Sequence, residues 1–396
     1  MKIMMSAGEA SGDLHGARLA KEMLEMEPDV ELFGFGGAKM AEAGVRLVRD
    51  CRDYSIMGVW EVVLGLGRLL QLEKTLVESM REEKPDLLLI IDYPDFNWRL
   101  AAKAKALGVP VFSYIPPSAW AWRKGRAKKC AAIAKEIVTI FHHEIGPCST
   151  KLTWTRSIGP YVTAGANVSF LGNPLVDTVR ADMEPEAARA FFGLKEGERA
   201  VLLLPGSRRQ EISFLLPDML KAVQILKEKR PETRFFLPVA PGLERQELER
   251  HIEKSGAPVE LTEEHVYDLM GVADFAIATS GTVVMEAALM DLPAVVCYRM
   301  GRLNYAIGRM LVKIDHFSLP NIILGEEAEP ELLQDEVTPE RIAEEAAKLY
   351  KGEPQRDSVM ARLKVAVLQL GPPGASVRVA AHVLAAAAER ENEREA

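Results

Sequence analysis

The sequence predicts an α/β protein of two Rossmann-like domains, each built on a doubly wound parallel sheet and facing a shared cleft. Short apolar runs alternate with segments of helical periodicity, and the alternation restarts in the second half of the 396 residues. Strands rich in Val, Ile and Leu are typical of parallel sheets that helices cover on both faces. At about 150 residues per domain, the length also fits two or three domains.

The domain boundary is expected where Gly and Pro interrupt this pattern, in the segment L-G-N-P-L-V-D at Leu171–Asp177. We therefore predict an N-terminal domain at 1–172 and a C-terminal domain at 173–370. Residues 371–396 would form a C-terminal helix and a charged tail, for which packing back on the N-terminal domain is one option.

Each predicted strand is a short apolar run, and each predicted helix has apolar residues at helical spacing. In the first half the strands are Lys2–Ser6, Glu31–Phe35, Asp86–Ile91, Val109–Ile115 and Glu136–Phe141. In the second half they are Ala200–Leu204, Arg234–Val239, Val259–Leu261, Phe275–Ala278 and Ala294–Tyr298. The helices are Arg68–Glu82, Asn97–Leu107, Pro217–Lys229, Glu244–Ser255 and Thr338–Lys351.

The charge of the chain is acidic overall but unevenly distributed. The net charge of −8 argues against a general nucleic-acid-binding protein. The segment from Asn97 to Lys135, however, contains nine Lys or Arg and no Asp or Glu. A local basic face on an acidic protein indicates a specific anionic partner, such as a phosphate or an acidic membrane surface.

Cysteine usage and apolar segments indicate a cytoplasmic protein. The four cysteines are far apart and form no C-x-x-C pair, which favours reduced thiols over disulfides or zinc. The sequence shows no signal-peptide pattern and no uninterrupted apolar run long enough to span a membrane. No D-x-D motif, P-loop, H-E-x-x-H or G-x-S-x-G motif is present, so we predict no metal and no other cofactor.

Small residues follow the first strand in S-A-G-E-A-S-G-D-L-H-G. Gly8 and Gly12 allow a tight turn, and the next helix offers backbone amides to an anion or a sugar hydroxyl. The spacing is not the G-x-G-x-x-G of dinucleotide binding, so NAD is disfavoured. An ordinary strand-to-helix turn explains the motif equally well.

Carboxylates follow the strand at Asp86–Ile91 in D-Y-P-D-F-N. Asp92 comes directly after a buried strand, where a carboxylate can act as a general base. For Asp95 or Asn97 we favour a simpler role, capping the helix that follows.

The cationic segment also contains two tryptophans, in P-P-S-A-W-A-W-R-K-G-R. Trp120 and Trp122 next to clustered Lys and Arg suit a membrane interface or ligand stacking, although paired Trp side chains also fill cores. The apolar stretch Ile56–Leu70 is the second element of this expected membrane face.

Two turns of the second half are suited to phosphate. The motif L-L-L-P-G-S-R-R-Q-E has Gly206, Ser207 and Arg208 after a buried strand, where an Arg can bind a phosphate bidentately. The motif I-A-T-S-G-T-V-V-M-E has a phosphate-sized helix start at 280–282, with Glu286 one turn further on, where it could bind a ribose. A solvated surface turn is the alternative for Arg208.

Taken together, these motifs resemble the lipid-A-disaccharide synthase family. The others that carry the resemblance are L-G-N-P-L-V-D, V-V-C-Y-R-M and S-L-P-N-I-I-L, all in that family's order over nearly the whole chain. The resemblance implies a GT-B fold and an inverting, metal-independent glycosyl transfer from UDP-2,3-diacylglucosamine to 2,3-diacylglucosamine 1-phosphate (lipid X). It also implies a peripheral protein on the cytoplasmic surface of the inner membrane.

The resemblance assigns the catalytic aspartate to Asp92 and the essential arginine to Arg208. The expected donor-binding residues are Gly206, Ser207, Arg208, Ser280, Gly281, Thr282, Glu286 and Asn321. The expected acceptor residues are Gly8, Glu9, Ser11, Gly12, Asp95 and Asn97. The expected membrane and acceptor-phosphate face consists of Met57, Val59, Trp60, Trp120, Trp122, Arg123, Lys124 and Arg126.

The chain departs from the family pattern at Phe141–Glu144, and I-G-P then occurs twice, at 145–147 and 158–160. We interpret Cys148–Ser157 as a local insertion. The rival interpretations are another GT-B enzyme, such as a UDP-GlcNAc 2-epimerase or the glycosyltransferase of lipid II synthesis, and a two-lobed solute-binding protein. The sequence leaves the oligomeric state open, with a homodimer as one option.

Overall fold

The computed structural model describes residues 1–54, 59–117, 125–145, 159–301, 305 and 315–395. In this part of the chain there are two compact units. The first contains the residues up to Asp177 and those from Leu370 onward, and the second contains Thr178–Gln369. The chain therefore passes between the units at 177–178 and 369–370, where the sequence placed the divisions at 172–173 and 370–371.

The first unit is a seven-stranded sheet with parallel strand pairs. Its strands are β1 (Lys2–Ala7), β2 (Glu31–Gly36), β3 (Arg46–Asp50), β4 (Leu87–Ile91), β5 (Val111–Tyr114), β6 (Glu136–Thr139) and β7 (Val168–Phe170). Its helices are α1 (Ala10–Met26), α2 (Ala38–Glu42), α3 (Val59–Glu83), α4 (Pro94–Ala106), α5 (Gly125–Ile133), α6 (Pro160–Thr163) and α7 (Leu175–Thr178), together with the C-terminal α16 (Ala375–Glu395). Two 3-10 turns lie at Cys51–Tyr54 and His142–Glu144.

Both faces of this sheet are buried, as predicted for a doubly wound domain. Alternate residues of β1 point to opposite faces. Ile3 and Met5 join the core formed with α1 and α16, whereas Met4 joins the core formed with α3 and α4. The C-terminal helix α16 therefore packs on the first unit, with Val379 and Val383 fully buried.

The second unit is a six-stranded parallel sheet. Its strands are β8 (Arg199–Leu204), β9 (Thr233–Pro238), β10 (Val259–Thr262), β11 (Phe275–Thr279), β12 (Ala294–Tyr298) and β13 (Glu331–Leu333). Its helices are α8 (Pro185–Phe191), α9 (Arg209–Lys229), α10 (Arg245–Ser255), α11 (Val266–Val272), α12 (Thr282–Leu289), α13 (Leu319–Leu324), α14 (Pro339–Ala347) and α15 (Pro354–Leu368), with a 3-10 turn at Gln334–Glu336. One face packs on α8, α11 and α12, and α9 and α14 also contact β11.

Both sheets change winding direction at their fourth strand in chain order. The first has the order β3-β2-β1-β4-β5-β6-β7, and the second has the order β10-β9-β8-β11-β12-β13. The chain reverses between β1 and β4 and again between β8 and β11, and ligands of such sheets bind outside the carboxyl ends of the strands at this point. Four of the motifs selected from the sequence, those with Gly8, Asp92, Arg208 and Ser280, follow these four strands.

The sequence prediction missed three short strands and began three helices too late, among them α4, which begins at Pro94 and not at Asn97. β3, β7 and β13 have only three to five residues, and most of them are partly exposed, so they lack the long apolar run of a central strand. Helix α9 begins at Arg209 and includes Pro217, which the prediction took as its start. Helix α3 begins at Val59, not Arg68.

Several sequence predictions lie outside the described residues. These are the roles of Met57, Trp120, Trp122, Arg123 and Lys124, and the insertion at Cys148–Ser157. Val59 and Trp60 form the first turn of α3. None of the helices in the described part of the chain combines the length and apolar character needed to cross a bilayer.

Candidate active site

The turn after β4 holds Asp92 in a strained backbone conformation. Asp92 and Tyr93 have φ values of +47° and +48°, a left-handed conformation that costs residues other than Gly about 1–3 kcal/mol. The amide of Asp92 donates to the carbonyl of Tyr114 on β5 at 3.1 Å, which fixes the turn to the sheet. Burial raises the pKa of the Asp92 carboxyl, and a hydrogen bond from the Tyr93 backbone partly offsets this rise. The result is a fixed carboxylate of increased basicity, as a general base requires.

Asn97 connects the ends of β1 and β4. Its side chain is fully buried, and its Oδ1 accepts from Ser6 Oγ at 2.6 Å. Its Nδ2 donates to the carbonyls of Ser6, Ile91 and Asp92 at 3.0, 3.2 and 2.8 Å. Asn97 therefore fixes the backbone of the turn that bears Asp92 to the ends of β1 and β4.

The predicted capping role of Asp95 and Asn97 is wrong. Helix α4 begins at Pro94, whose fixed φ suits a first helical position, and its N-cap is Tyr93, without a side-chain hydrogen bond. Asp95 is thus inside the helix, where its side chain is 85% exposed and pairs with Arg126 of α5. Arg126, a cation of the expected membrane face, therefore forms an ion pair with Asp95 of the same unit.

The turn after β1 lies against the turn after β4. Gly8 and Gly12 are buried, whereas Glu9, the N-cap of α1, and Ser11 are exposed. A Cβ on Gly12 would contact the Ile91 carbonyl at 3.5 Å, so α1 starts close to the end of β4. The structure thus brings Asp92 and the predicted acceptor residues together at the carboxyl ends of β1 and β4.

The second unit has a pocket of about 760 Å³ at the carboxyl ends of β8 and β11. Seven of the eight residues expected to bind the donor line it: Gly206, Ser207, Arg208, Ser280, Gly281, Thr282 and Glu286. The volume lies within the usual range for small-molecule sites.

The β8–α9 turn contributes a cation to this pocket. Gly206 has a φ of +113°, which a side chain would strain, and Arg208 is the N-cap of α9. The Arg208 guanidinium is 80% exposed and donates from Nη1 to Glu211 Oε1 at 2.8 Å. Arg208 is therefore solvent-accessible and already oriented by one carboxylate.

The β11–α12 turn contributes backbone amides and a carboxylate. Gly281 is the N-cap of α12 and makes no side-chain cap, and Ser280 Oγ donates to the carbonyl of Phe317 at 2.5 Å. Glu286 accepts from the Tyr267 hydroxyl at 3.2 Å. Burial raises the pKa of Glu286, and the Tyr267 hydrogen bond opposes this shift.

Asn321 is not part of this pocket. It is fully buried in α13, its Oδ1 accepts from the amides of Ala328 and Glu329, and its Nδ2 donates to the carbonyl of Glu329. These bonds satisfy the amide group inside the protein and fix the loop that leads to β13.

The sequence reasoning overlooked the pocket lining at Pro238–Pro241 and a further wall, the segment at His265–Asp268. Asp268 is buried and accepts from the amides of Asp182 and Met183 at 2.8 and 2.6 Å and from His265 Nδ1 at 3.1 Å, if that nitrogen carries the proton. It thereby holds the segment at 182–183 against the pocket. No sequence motif marks these residues, because their position depends on a left-handed turn at His265 (φ +56°).

The described residues contain no cluster of three or more His, Cys, Asp or Glu side chains that could bind a metal ion. The groups of this pocket that suit an anion chemically are the backbone amides at the start of α12 and the Arg208 guanidinium.

Sequence comparison relates the chain to one enzyme family. A sequence profile of the family described as lipid-A-disaccharide synthetase matches residues 3–371. The lipid-A-disaccharide synthase of Geobacter sulfurreducens is 41% identical over 383 residues, which cover 97% of this chain and 96% of that protein.

Structural comparison finds the same fold in solved structures of other proteins. A glycotransferase of kitacinnamycin has a TM-score of 0.65 at 15% identity, covering 97% of this chain and 98% of that chain. The UDP-GlcNAc 2-epimerase of Neisseria meningitidis, crystallised with UDP-GlcNAc, has a TM-score of 0.62 at 12% identity, covering 97% and 100%. At such identities the likeness concerns the fold alone. It confirms the predicted GT-B fold class.

Proposed function

The chain belongs to the lipid-A-disaccharide synthase family, and from this premise we propose that it condenses UDP-2,3-diacylglucosamine with lipid X. The products are the β-1,6-linked tetraacyl disaccharide 1-phosphate and UDP, an intermediate and a by-product of lipid A biosynthesis. The chain is thus a glycosyltransferase.

The observation that carries the donor assignment is the pocket at the ends of β8 and β11. In the proposal the diphosphate of UDP binds near the start of α12 and near Arg208, since helix N-termini and guanidinium groups both favour anions. Glu286 accepts hydrogen bonds from the ribose. The epimerase with bound UDP-GlcNAc has the same fold, which supports a UDP-sugar ligand.

The proposed transfer inverts the anomeric centre. Asp92 takes the proton of the acceptor 6-hydroxyl as this oxygen attacks C1 of the donor sugar from the face opposite UDP. The new bond joins the acceptor oxygen to C1, the bond between C1 and the phosphate oxygen breaks, and UDP leaves with the electron pair. Amides and Arg208 stabilise the negative charge that develops on the diphosphate, so the proposal requires no metal.

We also propose that the enzyme works at the cytoplasmic surface of the inner membrane. Both substrates carry two acyl chains, and each buried CH₂ contributes about 0.8 kcal/mol to membrane partition, so the substrates stay in the bilayer. The basic segment Asn97–Lys135 supplies charges for an anionic surface, each contributing about 1 kcal/mol at low salt. Reversing the charges of Arg123 and Lys124 should release the protein from anionic vesicles, and unchanged vesicle binding would contradict this role.

Product analysis tests the reaction. Purified protein is incubated with UDP-2,3-diacylglucosamine and lipid X, with and without excess EDTA, and the lipids are identified by mass spectrometry. We expect disaccharide 1-phosphate and UDP in equal amounts under both conditions. Conversion of a UDP-sugar to its 2-epimer without lipid X would support the rival epimerase instead. Loss of activity in EDTA that Mg²⁺ restores would contradict metal independence.

A further inference from the structure

Glu211, in the first turn of α9, holds both the backbone and the side chain of the turn that bears Arg208. Its Oε2 accepts from the amides of Ser207 and Arg208 at 3.1 and 3.2 Å, and its Oε1 accepts from Arg208 Nη1 at 2.8 Å. Its side chain is 24% exposed. Gly206 makes room for this carboxylate, since a Cβ on Gly206 would lie 2.2 Å from Glu211 Oε2.

These contacts make the two helix starts of the pocket different. At α9 the amides of Ser207 and Arg208 are already bonded to Glu211. At α12 the N-cap is Gly281, which has no side chain with which to cap the helix. An incoming diphosphate therefore finds the amides of Ser207 and Arg208 occupied, and the group that this turn offers is the guanidinium of Arg208.

The geometry of the guanidinium allows Glu211 and a phosphate to bind it together. Among the described residues Arg208 uses Nη1 for Glu211, and a guanidinium has five N–H donors in a planar fork. An exposed Arg otherwise samples many rotamers, and ordering it on ligand binding costs entropy. A carboxylate that two backbone amides hold in place removes part of that cost beforehand.

We propose that Glu211 is a positioning residue that orients the Arg208 guanidinium towards the donor diphosphate. This inference rests on the proposed function, because it assumes that Arg208 binds the donor. Its competitor is a purely structural role, in which Glu211 does no more than cap helix α9. The two roles differ in whether the effect of changing Glu211 depends on Arg208.

A double-mutant cycle separates the two roles. Glu211→Gln keeps an oxygen for the amides and removes the charge that holds Arg208. We expect it to lower kcat/KM for the donor about 10-fold in the wild-type background and less than about 2-fold in the Arg208→Lys background. A loss of equal size in both backgrounds would mean that Glu211 only caps the helix, and no loss in either would also overturn the proposal.

A matched control is Glu244→Gln. Glu244 accepts from Arg209 Nη2 at 3.0 Å, next to the same helix start, but it does not contact the amides of the turn. We expect its kcat/KM to stay within about 2-fold of wild type; a 10-fold loss there would attribute the Glu211 effect to general charge and overturn the proposal. Should Glu211→Gln not fold, Glu211→Asp tests the same dependence on Arg208, with a smaller loss.

The dissociation constant of UDP, measured by calorimetry, separates this inference from the proposed reaction. If wild type binds UDP but forms no disaccharide, the proposed reaction fails, and the same cycle on UDP affinity still decides the role of Glu211. If wild type forms disaccharide and the cycle shows no coupling, only the inference on Glu211 fails.

Discussion

The ring of Tyr93 lies directly over Gly8, so close that a Cβ on Gly8 would come within 2.0 Å of Tyr93 Cδ1. This contact joins the turn after β1 to the turn after β4, and Tyr93 is the left-handed neighbour of Asp92. The two turns can approach each other this closely because Gly8 has no side chain. The position of the proposed base depends on a residue more than eighty positions away.

Gly8→Ala is expected to displace the Tyr93 ring and with it Asp92. Overpacking of this kind typically costs about 1–3 kcal/mol of stability, and a shift of the base should lower kcat by about 10-fold or more. Urea unfolding and steady-state kinetics measure the two effects. Gly67→Ala, in helix α3, is the control, since a Cβ there meets no atom within 4 Å. A fully active Gly8→Ala variant would contradict the link between the turns.

Asn97→Ala is expected to destabilise the first unit by about 2–3 kcal/mol. The substitution removes the partner of the buried Ser6 hydroxyl and of three carbonyls, and a buried polar group without a partner costs about 1–3 kcal/mol. Chemical denaturation checks the change in free energy of unfolding. Asn167→Ala serves as the control because the Asn167 side chain is exposed. Equal stability of the two variants would refute the structural role of Asn97.

The catalytic, acceptor and donor residues selected from the sequence, apart from Asn321, were those that follow long buried strands. Asp92, Arg208 and Ser280 could be found because their strands are apolar runs and because parallel strands bring their carboxyl ends to one edge. Asn97 was assigned the wrong role because a cap and a buried bridge have the same sequence signal, a polar residue near a helix start. The difference depends on Ser6, which lies 91 positions away.

Other features could not be predicted because they arise from tertiary contacts. Asn321 belongs to a motif of the family, but its amide is used by the backbone of the loop before β13. The amides that Glu211 binds are its neighbours three and four positions back, whereas Asp268 binds amides that lie 85 and 86 positions away. Local sequence contains no information on such partners until the sheet order is known.

Glu329 is expected to make stability fall with rising pH. Its carboxyl is fully buried beside Ser318 Oγ and the Ala294 amide, and burial raises its pKa to about 8. The folded protein therefore binds a proton that the unfolded chain releases near pH 4.5. This contribution is fully present below that pH and is lost as the pH rises to about 8, at up to about 1.4 kcal/mol per pH unit.

Glu329→Gln should remove this pH dependence, because the amide cannot titrate and can still bond Ser318 and Ala294. The stability of wild type relative to the variant should fall between pH 5.5 and 7.5 and level off above about pH 8, as measured by urea unfolding at each pH. Parallel stability curves for the two proteins would mean that Glu329 is ionised in the folded state.

Asp92→Asn tests the proposed base and its pKa together. The variant keeps the shape of the side chain and removes the proton acceptor, so we expect kcat to fall about 100-fold or more with UDP affinity and thermal stability nearly unchanged. Because burial raises the pKa of Asp92, kcat/KM of wild type should decline on acidification at a higher pH than for an ordinary aspartate. Asp95→Asn is the control: its exposed pair with Arg126 contributes less than about 1 kcal/mol, and its pH profile should match wild type. Near-normal turnover of Asp92→Asn, or inactivity of a folded Asp95→Asn, would move the base away from Asp92.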